Sequence, residues 1–318
     1  MSERGCMLIA DRICKTYGAK RALEDVSFTG GPGELIGLIG QNGAGKTTLL
    51  NILAGRLAPS AGSAEVGGHD VLWEPEATKP LIGYLPEKPG LYDEMTVEAQ
   101  LRFVCRLKGV VLEDTERHIQ ELAERTGISD VLARRIGNLS KGYRQRVGLA
   151  AALTGNPAVV LLDEPTSGLD PVQIREIRSL ISELAKERLV ILSTHILRDL
   201  DGLCTRALML HQGRLIRDMR IGEERTERTL RAEIGLGREA AEQLFRRLPS
   251  AVKVEMLPSP APGISAALIS GGYDAPLERE LNQALAKAEA LLMRLNPVQS
   301  ELEEVFLTAL TAPEEGNE

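Results

Sequence analysis

The segment at residues 40–47, Gly-Gln-Asn-Gly-Ala-Gly-Lys-Thr, constrains the fold of this chain more than any other feature of its sequence. It fits the pattern G-x-x-x-x-G-K-[ST], and it lies between a continuous apolar run at 34–39 and a helical pattern at 46–55. Its glycines let the backbone approach a phosphate group closely, and the following helix presents its positive end to the same anion. The segment therefore predicts an α/β fold with a strand, a phosphate-binding loop and a helix in succession.

Each residue type in this phosphate loop (residues 40–47) has a chemical reason to be there. Lys46 can reach the β- and γ-phosphates of a nucleoside triphosphate, and the hydroxyl of Thr47 can ligate Mg²⁺. The alternative is a glycine-rich turn with an incidental lysine, but residue frequencies give this pattern by chance in only about one of a hundred chains of this length. The residues predicted to contact the nucleotide are Gly40, Gln41, Asn42, Gly43, Ala44, Gly45, Lys46, Thr47 and Thr48.

Two further apolar runs, at 159–162 and 189–192, predict buried strands of a mostly parallel sheet. Asp163 and Glu164 follow the first run, at the strand end where α/β proteins bind ligands. One carboxylate can hold Mg²⁺ through water while Glu164 polarises the attacking water; the alternative is an acidic loop. His195 follows the second run and is predicted to contact the γ-phosphate, although a capping or packing histidine would occupy such a position too.

The pattern changes twice along the chain. Residues 96–136 predict a helical insertion of two amphipathic helices that are split near Gly109. The polar stretch at 222–228 indicates a linker, and beyond it the order β-α-β-β-α-β predicts a ferredoxin-like unit followed by a last helix at about 298–310. We therefore predict two domains, an α/β domain at 1–222 and a small α+β domain at 223–318.

Composition restricts the classes of partner. The formal net charge is −7 and the sequence pI is about 5.4, so the chain has no basic footprint for nucleic acid. The four cysteines are scattered and form no C-x-x-C pair, which argues against a disulfide framework or a zinc site. No apolar run approaches the ~18 residues of a membrane-spanning helix, and the apolar start is too short for a secretory signal. We expect a soluble chain whose membrane role depends on a partner.

The segment at 139–143, Leu-Ser-Lys-Gly-Tyr, opens a further helical pattern, for which Ser140 is a natural N-cap. With this segment included, the first ~220 residues resemble the ABC ATPase family, and the motifs occur in that family's order. The residues that carry the resemblance are Tyr17 within Lys-Thr-Tyr-Gly, the phosphate loop, Glu87, residues 139–143, residues 159–164, Ser-Gly-Leu-Asp at 167–170, and His195.

The resemblance implies a P-loop NTPase fold and a head-to-tail dimer with two ATP molecules between the subunits. Each ATP would be held by the phosphate loop of one chain and by Ser140 and Gly142 of the other. Tyr17 would stack on adenine, unless it is only an aromatic residue at a strand end, and Asp170 would join the dimer contacts. In the family's terms the catalytic residues are Glu164, His195 and Lys46, and the Mg²⁺ ligands are Thr47, Asp163 and Glu87.

Two departures from the family pattern point to one branch. Lys141 and Tyr143 replace the usual glycine and glutamine, and Glu87 replaces a glutamine, so this position cannot donate an amide hydrogen bond. With the closing helix at 300–307, these features look like the separate ATPase subunits of ABC-2-type exporters. The resemblance then implies an ATPase in the cytoplasm, peripheral at the inner face of the membrane, that energises a separate permease through the helical insertion.

Other functions of the family explain the sequence less well. A non-transport ABC ATPase acting on ribosomes would carry two ATPase units, and one acting in DNA repair would insert a long coiled coil, whereas Lys46 and Ser140 are only 94 residues apart. A small-molecule kinase would leave residues 139–143 and His195 unexplained. Pairing with a second copy and pairing with a homologous subunit both stay open. For the C-terminal domain, a regulatory or dimer-propping module is favoured over a metabolite sensor.

Overall fold

A computed structural model describes residues 7–196, 200, 202–221, 227–272 and 275–297. The chain divides into two compact units, Met1–Arg220 and Ile221–Glu318. The sequence had placed this boundary at 222. The predicted linker at 222–228 lies mostly outside the described residues, and its last two residues belong to the first strand of the second unit.

The first unit contains ten strands and six α-helices among its described residues. Its strands are β1 (Leu8–Tyr17), β2 (Lys20–Gly30), β3 (Leu35–Ile39), β4 (Ala61–Val66), β5 (His69–Asp70), β6 (Ile82–Leu85), β7 (Val159–Asp163), β8 (Leu189–Thr194), β9 (Arg206–His211) and β10 (Arg214–Arg220). Its helices are α1 (Lys46–Leu53), α2 (Pro75–Thr78), α3 (Val97–Leu107), α4 (Thr115–Thr126), α5 (Lys141–Leu153) and α6 (Pro171–Ala185).

A six-stranded sheet with the order β10-β9-β3-β8-β7-β6 forms the centre of the first unit. β3 pairs in parallel with β8 and β9, and β7 pairs in parallel with β8 and β6. All residues of β3, β7 and β8 are buried, as expected for apolar strands covered on both faces. The predictions of these three strands are confirmed, and β9 and β10 form an antiparallel hairpin at the edge of the sheet.

A second, antiparallel sheet with the order β2-β1-β4-β5 was not predicted from the sequence. Its apolar side chains, such as Leu8 and Val26, share one hydrophobic cluster with Leu49 of α1 and Leu161 of β7. This shared core fixes the first strands of the chain against the helix that follows the phosphate loop.

The helical insertion contains α3 and α4, as predicted. Thr96 caps α3 by accepting a hydrogen bond of 3.2 Å from the Ala99 N–H, and Gly109, at φ +70°, separates the two helices. The insertion is attached to the sheet by Lys108, whose Nζ donates to the carbonyl oxygens of Lys79 (3.2 Å) and Ile82 (2.5 Å). None of the helices in the described ranges is long and apolar enough to cross a membrane.

The second unit has the predicted ferredoxin-like order. Its elements are β11 (Glu227–Ile234), α7 (Arg238–Arg246), β12 (Ala251–Met256), β13 (Ser265–Gly272), α8 (Leu277–Lys287) and β14 (Leu292–Pro297). The strands form an antiparallel sheet in the order β12-β13-β11-β14, and Leu230, Phe245 and Leu281 belong to its core.

The last strand of this unit begins at Leu292, after α8 has ended at Lys287 and its C-cap Ala288. Glu289 has φ +50°, and the Ala290 N–H bonds back to the Leu285 carbonyl at 3.0 Å, so a turn occupies the intervening residues. The helix predicted at about 298–310 lies outside the described residues.

Candidate active site

An open cavity of about 470 Å³ lies where β3, β7 and β8 end. It brings together ten of the residues that the sequence assigned to a site: Tyr17, Asn42, Gly43, Gly45, Lys46, Thr47, Thr48, Glu87, Glu164 and His195. Lys20, Ala22 and Ser167 complete its lining and were not assigned to it from the sequence. The phosphate loop therefore faces the carboxylate of β7 and the histidine of β8 across one cavity.

The phosphate loop needs glycine for backbone reasons. Gly45 has φ +110°, and a Cβ atom there would lie 2.6 Å from the Ala22 carbonyl oxygen. At Gly40 a Cβ atom would lie 2.5 Å from the Leu210 carbonyl oxygen, so the loop passes directly over β9. Helix α1 begins at Lys46, and its first turn is directed at the cavity. Local packing therefore explains why the loop takes this conformation.

Lys46 is almost fully buried at the base of the cavity. Its Nζ donates to the carbonyl oxygens of Gly40 (2.7 Å) and Gln41 (3.3 Å), and it lies 3.7 Å from Oε1 of Glu164. Burial lowers the pKa of this ammonium group, and the neighbouring carboxylates oppose that shift. The loop thus holds a cation within reach of any anion that enters the cavity.

Glu164 connects the two sides of the cavity. Its backbone has φ +49°, which is rare for a residue other than glycine. The Glu164 N–H donates to both the hydroxyl (3.0 Å) and the carbonyl (3.2 Å) oxygens of Ser193, which stabilise this conformation. Its side chain extends between Lys46 and His195, with Oε2 at 2.9 Å from Nδ1 of His195. This carboxylate is thus fixed at the end of the strand.

Asp163 is completely buried behind the cavity. Its Oδ1 accepts a hydrogen bond of 2.6 Å from the Ser193 hydroxyl, and its Oδ2 has no hydrogen-bond partner among the described residues. A buried carboxylate oxygen without a donor fits a cation or its water ligand. With Thr47 and Glu87 in the cavity lining, the oxygen donors suit Mg²⁺.

The protein ligands for such an ion are few. Within the described residues, no group of three or more His, Cys, Asp or Glu side chains is placed to hold a metal. Mg²⁺ keeps several of its waters and commonly binds through one or two carboxylates together with substrate phosphates. The residue set at this cavity agrees with that mode of binding, in which the phosphates supply part of the coordination.

The outer end of the cavity is formed by the first two strands. Tyr17 is half exposed, and the Nζ of Lys15 lies 5.4 Å from the centroid of its ring. Tyr17 pairs with Lys20 across the β1–β2 turn, which places both side chains at the cavity. An exposed aromatic ring that lines the same cavity as the phosphate loop can stack on a base.

Three predicted nucleotide contacts do not line the cavity of their own chain: Ser140, Gly142 and Asp170. Ser140 is the N-cap of α5 as predicted, because its hydroxyl accepts from the Tyr143 N–H at 3.4 Å. Asp170 caps α6 in the same way. Within the phosphate loop, Gly40, Gln41 and Ala44 lie outside the lining, as does the buried Asp163.

Tyr143, which departs from the family pattern, and its neighbour Arg144 anchor α5 to the preceding segments. The Tyr143 hydroxyl donates to Oδ2 of Asp130 at 2.9 Å, and this bond raises the pKa of the phenol. Arg144 pairs with Asp93 at 2.6 Å. Helix α5 is therefore tied both to the insertion and to the segment that follows Glu87.

The chain is similar in sequence to known proteins. The family described as ABC transporter matches residues 23–167. The ABC transporter ATP-binding protein NatA of Bacillus subtilis is 41% identical over 198 residues, which are 62% of this chain and 80% of that protein. The bacitracin transport ATP-binding protein BcrA of Bacillus licheniformis is 33% identical over 65% of this chain and 67% of its own length.

A solved structure described as the ATP-binding subunit of an ABC transporter matches with a TM-score of 0.63 and 32% identity, over 68% of this chain and 90% of that chain. The family match at residues 23–167 contains the phosphate loop, the two carboxylates and α5. By its sequence and by the geometry of its site, this chain belongs to the ABC transporter family as an ATP-binding ATPase subunit.

Proposed function

We propose that this chain powers a separate membrane permease of the ABC-2 export type, from the cytoplasmic side, by closing on ATP as a dimer. The observation that carries the proposal is the position of Glu164, whose carboxylate lies between Lys46 (3.7 Å) and His195 (2.9 Å) in one cavity. In this arrangement Lys46 can bind a phosphate group, the fixed Glu164 carboxylate can orient a water molecule, and His195 contacts that carboxylate.

Within one chain, each group has a defined task. Lys46 binds the β- and γ-phosphates of ATP, while Tyr17 stacks on the base. Glu164 orients and polarises the attacking water, because its left-handed backbone and the bonds from Ser193 fix its carboxylate. His195 holds the other carboxylate oxygen and contacts the γ-phosphate.

Mg²⁺ would be held by Thr47, Asp163 and Glu87. When bound, it neutralises charge on the β- and γ-phosphates. The buried Oδ2 of Asp163, which has no hydrogen-bond partner among the described residues, supports this assignment. Glu87 supplies a carboxylate where a glutamine is usual in the family, and it faces the same cavity.

The placement of Ser140 and Gly142 supports the proposed dimer. They lie at the N-terminus of α5, whose first turn has no acidic residue, and they do not line the cavity of their own chain. A helix N-terminus of this kind is suited to a phosphate group. We infer that it meets the γ-phosphate held by another copy, or by a homologous subunit, in head-to-tail arrangement.

The permease would dock on the exposed apolar residues of the insertion and of the segment before it. Tyr92 and Phe103 stack edge to face with ring centroids 5.9 Å apart, and Leu107 and Leu112 are about 70% exposed. These four residues, with Val111, are called the docking surface below. Contiguous exposed apolar side chains are typical of protein–protein contact sites. The relative BcrA is named for bacitracin transport, which agrees with a transport role here.

Trp73 is a further candidate for this contact. It is 80% exposed, on a turn that Asp70 stabilises by accepting hydrogen bonds from the Leu72 (2.8 Å) and Trp73 (3.0 Å) N–H groups. The turn precedes α2 and the short segment at Lys79–Leu81, to which Lys108 of the insertion is bonded. Lys108 therefore bonds the insertion to the segment that follows this turn and α2.

For the second unit we propose a regulatory or dimer-propping role, since among its described residues no metal cluster occurs. Deleting residues 223–318 and measuring ATP turnover tests this role. If the second unit is regulatory, its deletion changes how the turnover rate depends on the ATP concentration. If it only stabilises the dimer, its deletion weakens dimerisation and leaves the turnover per dimer unchanged.

One experiment tests the motor itself. Glu164→Gln should bind ATP, fail to hydrolyse it, and double its mass in light scattering on addition of ATP and Mg²⁺. A Glu164→Gln chain that stays monomeric with bound ATP would contradict the shared site.

The permease contact is tested separately by co-purification with a membrane protein encoded beside this chain. Leu107→Asp with Leu112→Asp should abolish it, while Val252→Asp, an equally exposed apolar residue of the second unit, serves as the matched control. Retention of the permease by the double variant would exclude the docking surface.

A further inference from the structure

Two segments that sequence motifs assign to different tasks lie in direct contact within one chain. They are the signature segment (residues 140–142) and the α6 lead segment (residues 167–173). A Cβ atom on Gly142 would lie 2.5 Å from Oε1, 2.7 Å from Cδ and 2.8 Å from Nε2 of Gln173. The amide group of Gln173 therefore lies flat against the glycine.

A second contact joins the same segments. Gly168 has φ +70°, and a Cβ atom there would lie 2.1 Å from Nζ of Lys141. The Lys141 side chain thus occupies the space over Gly168. Lys141 stands where the family usually has glycine, so this contact belongs to the side chain that distinguishes the present sequence.

The α6 lead segment is in turn fixed to the catalytic strand. The Ser167 N–H donates to the Glu164 carbonyl at 3.1 Å, and Ser167 lines the cavity. At the other end, Oδ1 of Asp170 accepts from the N–H groups of Val172 (2.9 Å) and Gln173 (3.0 Å). The backbone position of Gln173 is therefore set by the loop that leaves Glu164.

The absence of a side chain at position 142 has a local explanation. Gly142 lies in the first turn of α5 and is not among the residues with positive φ, so its backbone conformation suits any residue. Glycine is disfavoured in helices relative to alanine, which means that close approach must account for it. The observed neighbour is the Gln173 amide, and it limits how far the signature segment can shift toward α6.

We propose that Gln173 is a positioning residue for the signature segment, and that it acts on the ATP held by the other subunit. The inference rests on the proposed dimer. Ser140 and Gly142 must lie within hydrogen-bond distance of a phosphate group bound to another copy, and a shift of about 1 Å is costly for such contacts. The Gln173 amide against Gly142, helped by Lys141 against Gly168, fixes that position.

The alternative is that Gln173 only packs on the surface of its own chain. In that case its removal weakens both sites equally or neither. A role in positioning the signature segment has a different effect. The altered chain then lowers the ATPase activity of the site to which it contributes its signature segment. The site to which it contributes its phosphate loop is not affected.

Mixed dimers separate these two effects. Lys46→Ala removes the phosphate loop function of one chain, and Ser140→Ala removes the signature function of the other, so a mixed dimer contains one complete site. Gln173→Ala is then placed on either chain in turn, and the ATPase rate of each mixture is measured with the rates of the separate chains subtracted. ATP binding and the melting temperature of every variant are measured as checks of folding.

We expect Gln173→Ala to lower the restored rate at least fivefold more on the Lys46→Ala chain, which supplies the intact signature segment, than on the Ser140→Ala chain. If Gln173→Ala lowers the restored ATPase rate equally in the two placements and all chains are folded, the inference is overturned. That result would not contradict the proposed dimer. If the parent pair restores no ATPase activity at all, the shared site is wrong, and the role of Gln173 is overturned with it.

Discussion

The Ser193 hydroxyl donates a hydrogen bond of 2.6 Å to Oδ1 of Asp163, and both side chains are completely buried. The same hydroxyl oxygen accepts from the Glu164 N–H at 3.0 Å. One serine of β8 therefore orients both carboxylate residues at the end of β7. It fixes the strand end from which the proposed Mg²⁺ ligand and the proposed catalytic carboxylate extend.

Replacing this serine should damage stability and activity together. Ser193→Ala removes the donor to a buried carboxylate, which is expected to lower the free energy of unfolding by about 1–3 kcal/mol. Loss of a residue that orients a metal ligand commonly costs roughly 10–100-fold in activity, and we expect the ATPase rate to fall in that range. Urea unfolding and turnover assays measure the two effects, and Ser193→Thr, which keeps the hydroxyl, is the control. If Ser193→Ala keeps the wild-type free energy of unfolding and the wild-type ATPase rate, Ser193 does not orient the two carboxylate residues.

Lys46→Met should abolish ATP binding without unfolding the chain. Burial lowers the pKa of Lys46, which shows that desolvation of its ammonium group is unfavourable. A methionine side chain of similar length carries no charge, so we expect the variant to stay folded. At an ATP concentration of about 100 Kd, the wild type should gain about 2.7 kcal/mol of stability, and the variant should gain none. Thermal melts with and without ATP measure this, with Lys20→Met, the other lysine of the cavity, as control. An ATP-induced shift of normal size in Lys46→Met would contradict the assignment.

Glu164 and His195 should behave as one catalytic unit. Their side chains lie 2.9 Å apart, and each is expected to contribute about 10²–10⁴-fold to turnover while leaving ATP binding in place. Because residues that act together are not additive, the double variant Glu164→Gln with His195→Ala should be no slower than Glu164→Gln alone. Single-turnover rates of the three variants provide the measurement, and multiplied losses in the double variant would show that the residues act independently.

His118 should make the stability of the first unit depend on pH. Its Nε2 accepts a hydrogen bond of 3.1 Å from the Gly155 N–H, which requires the neutral ring, and burial lowers its pKa from 6.5. The nearby charges are mixed, since Asp114 and Glu121 raise this pKa and Arg117 lowers it. The unfolded chain therefore binds the proton more readily, so the contribution of His118 is complete above pH 6.5 and is lost as the pH falls toward the native pKa.

The measurement is the melting temperature between pH 5 and 7.5. We expect the difference between wild type and His118→Gln to shrink as the pH falls, because glutamine keeps an acceptor and does not titrate. His69→Gln, at an exposed histidine paired with Glu74, controls for general effects of histidine removal. A constant difference across the range would show that His118 does not titrate as described.

The parts of the fold that the sequence predicted are those with one dominant physical signal. β3, β7 and β8 contain continuous apolar runs, which are expected for short strands covered on both faces of a parallel sheet. The antiparallel sheet was missed because its first strand is irregular. Register shifts interrupt the β1–β2 pairing after Ala10 and Ile13, and Arg12 has φ +44°, so the two-residue alternation that identifies a strand is broken.

The site shows the same division. Motifs with a fixed spacing, such as the phosphate loop and the Asp163–Glu164 pair, are visible in the sequence because chemistry sets the spacing. Lys20 carries no motif, and it reaches the cavity only through the pairing of β1 with β2. Ser167 belongs to the segment at 167–170, but the pattern alone does not assign its side chain to the cavity. The contact of Gln173 with Gly142 joins residues that are distant along the chain, and only the folded structure brings them together.

The exposed turn that Asp70 stabilises also has a practical consequence. Trp73 is the one tryptophan in the whole sequence. When the protein is excited at wavelengths that tyrosine does not absorb, its intrinsic fluorescence therefore comes from a single indole in that turn. A shift of the emission maximum, or a change in quenching, therefore reports on the surroundings of Trp73 without an added label. Nucleotide titration of the isolated chain and addition of a membrane partner can thus be followed by the same native optical reporter.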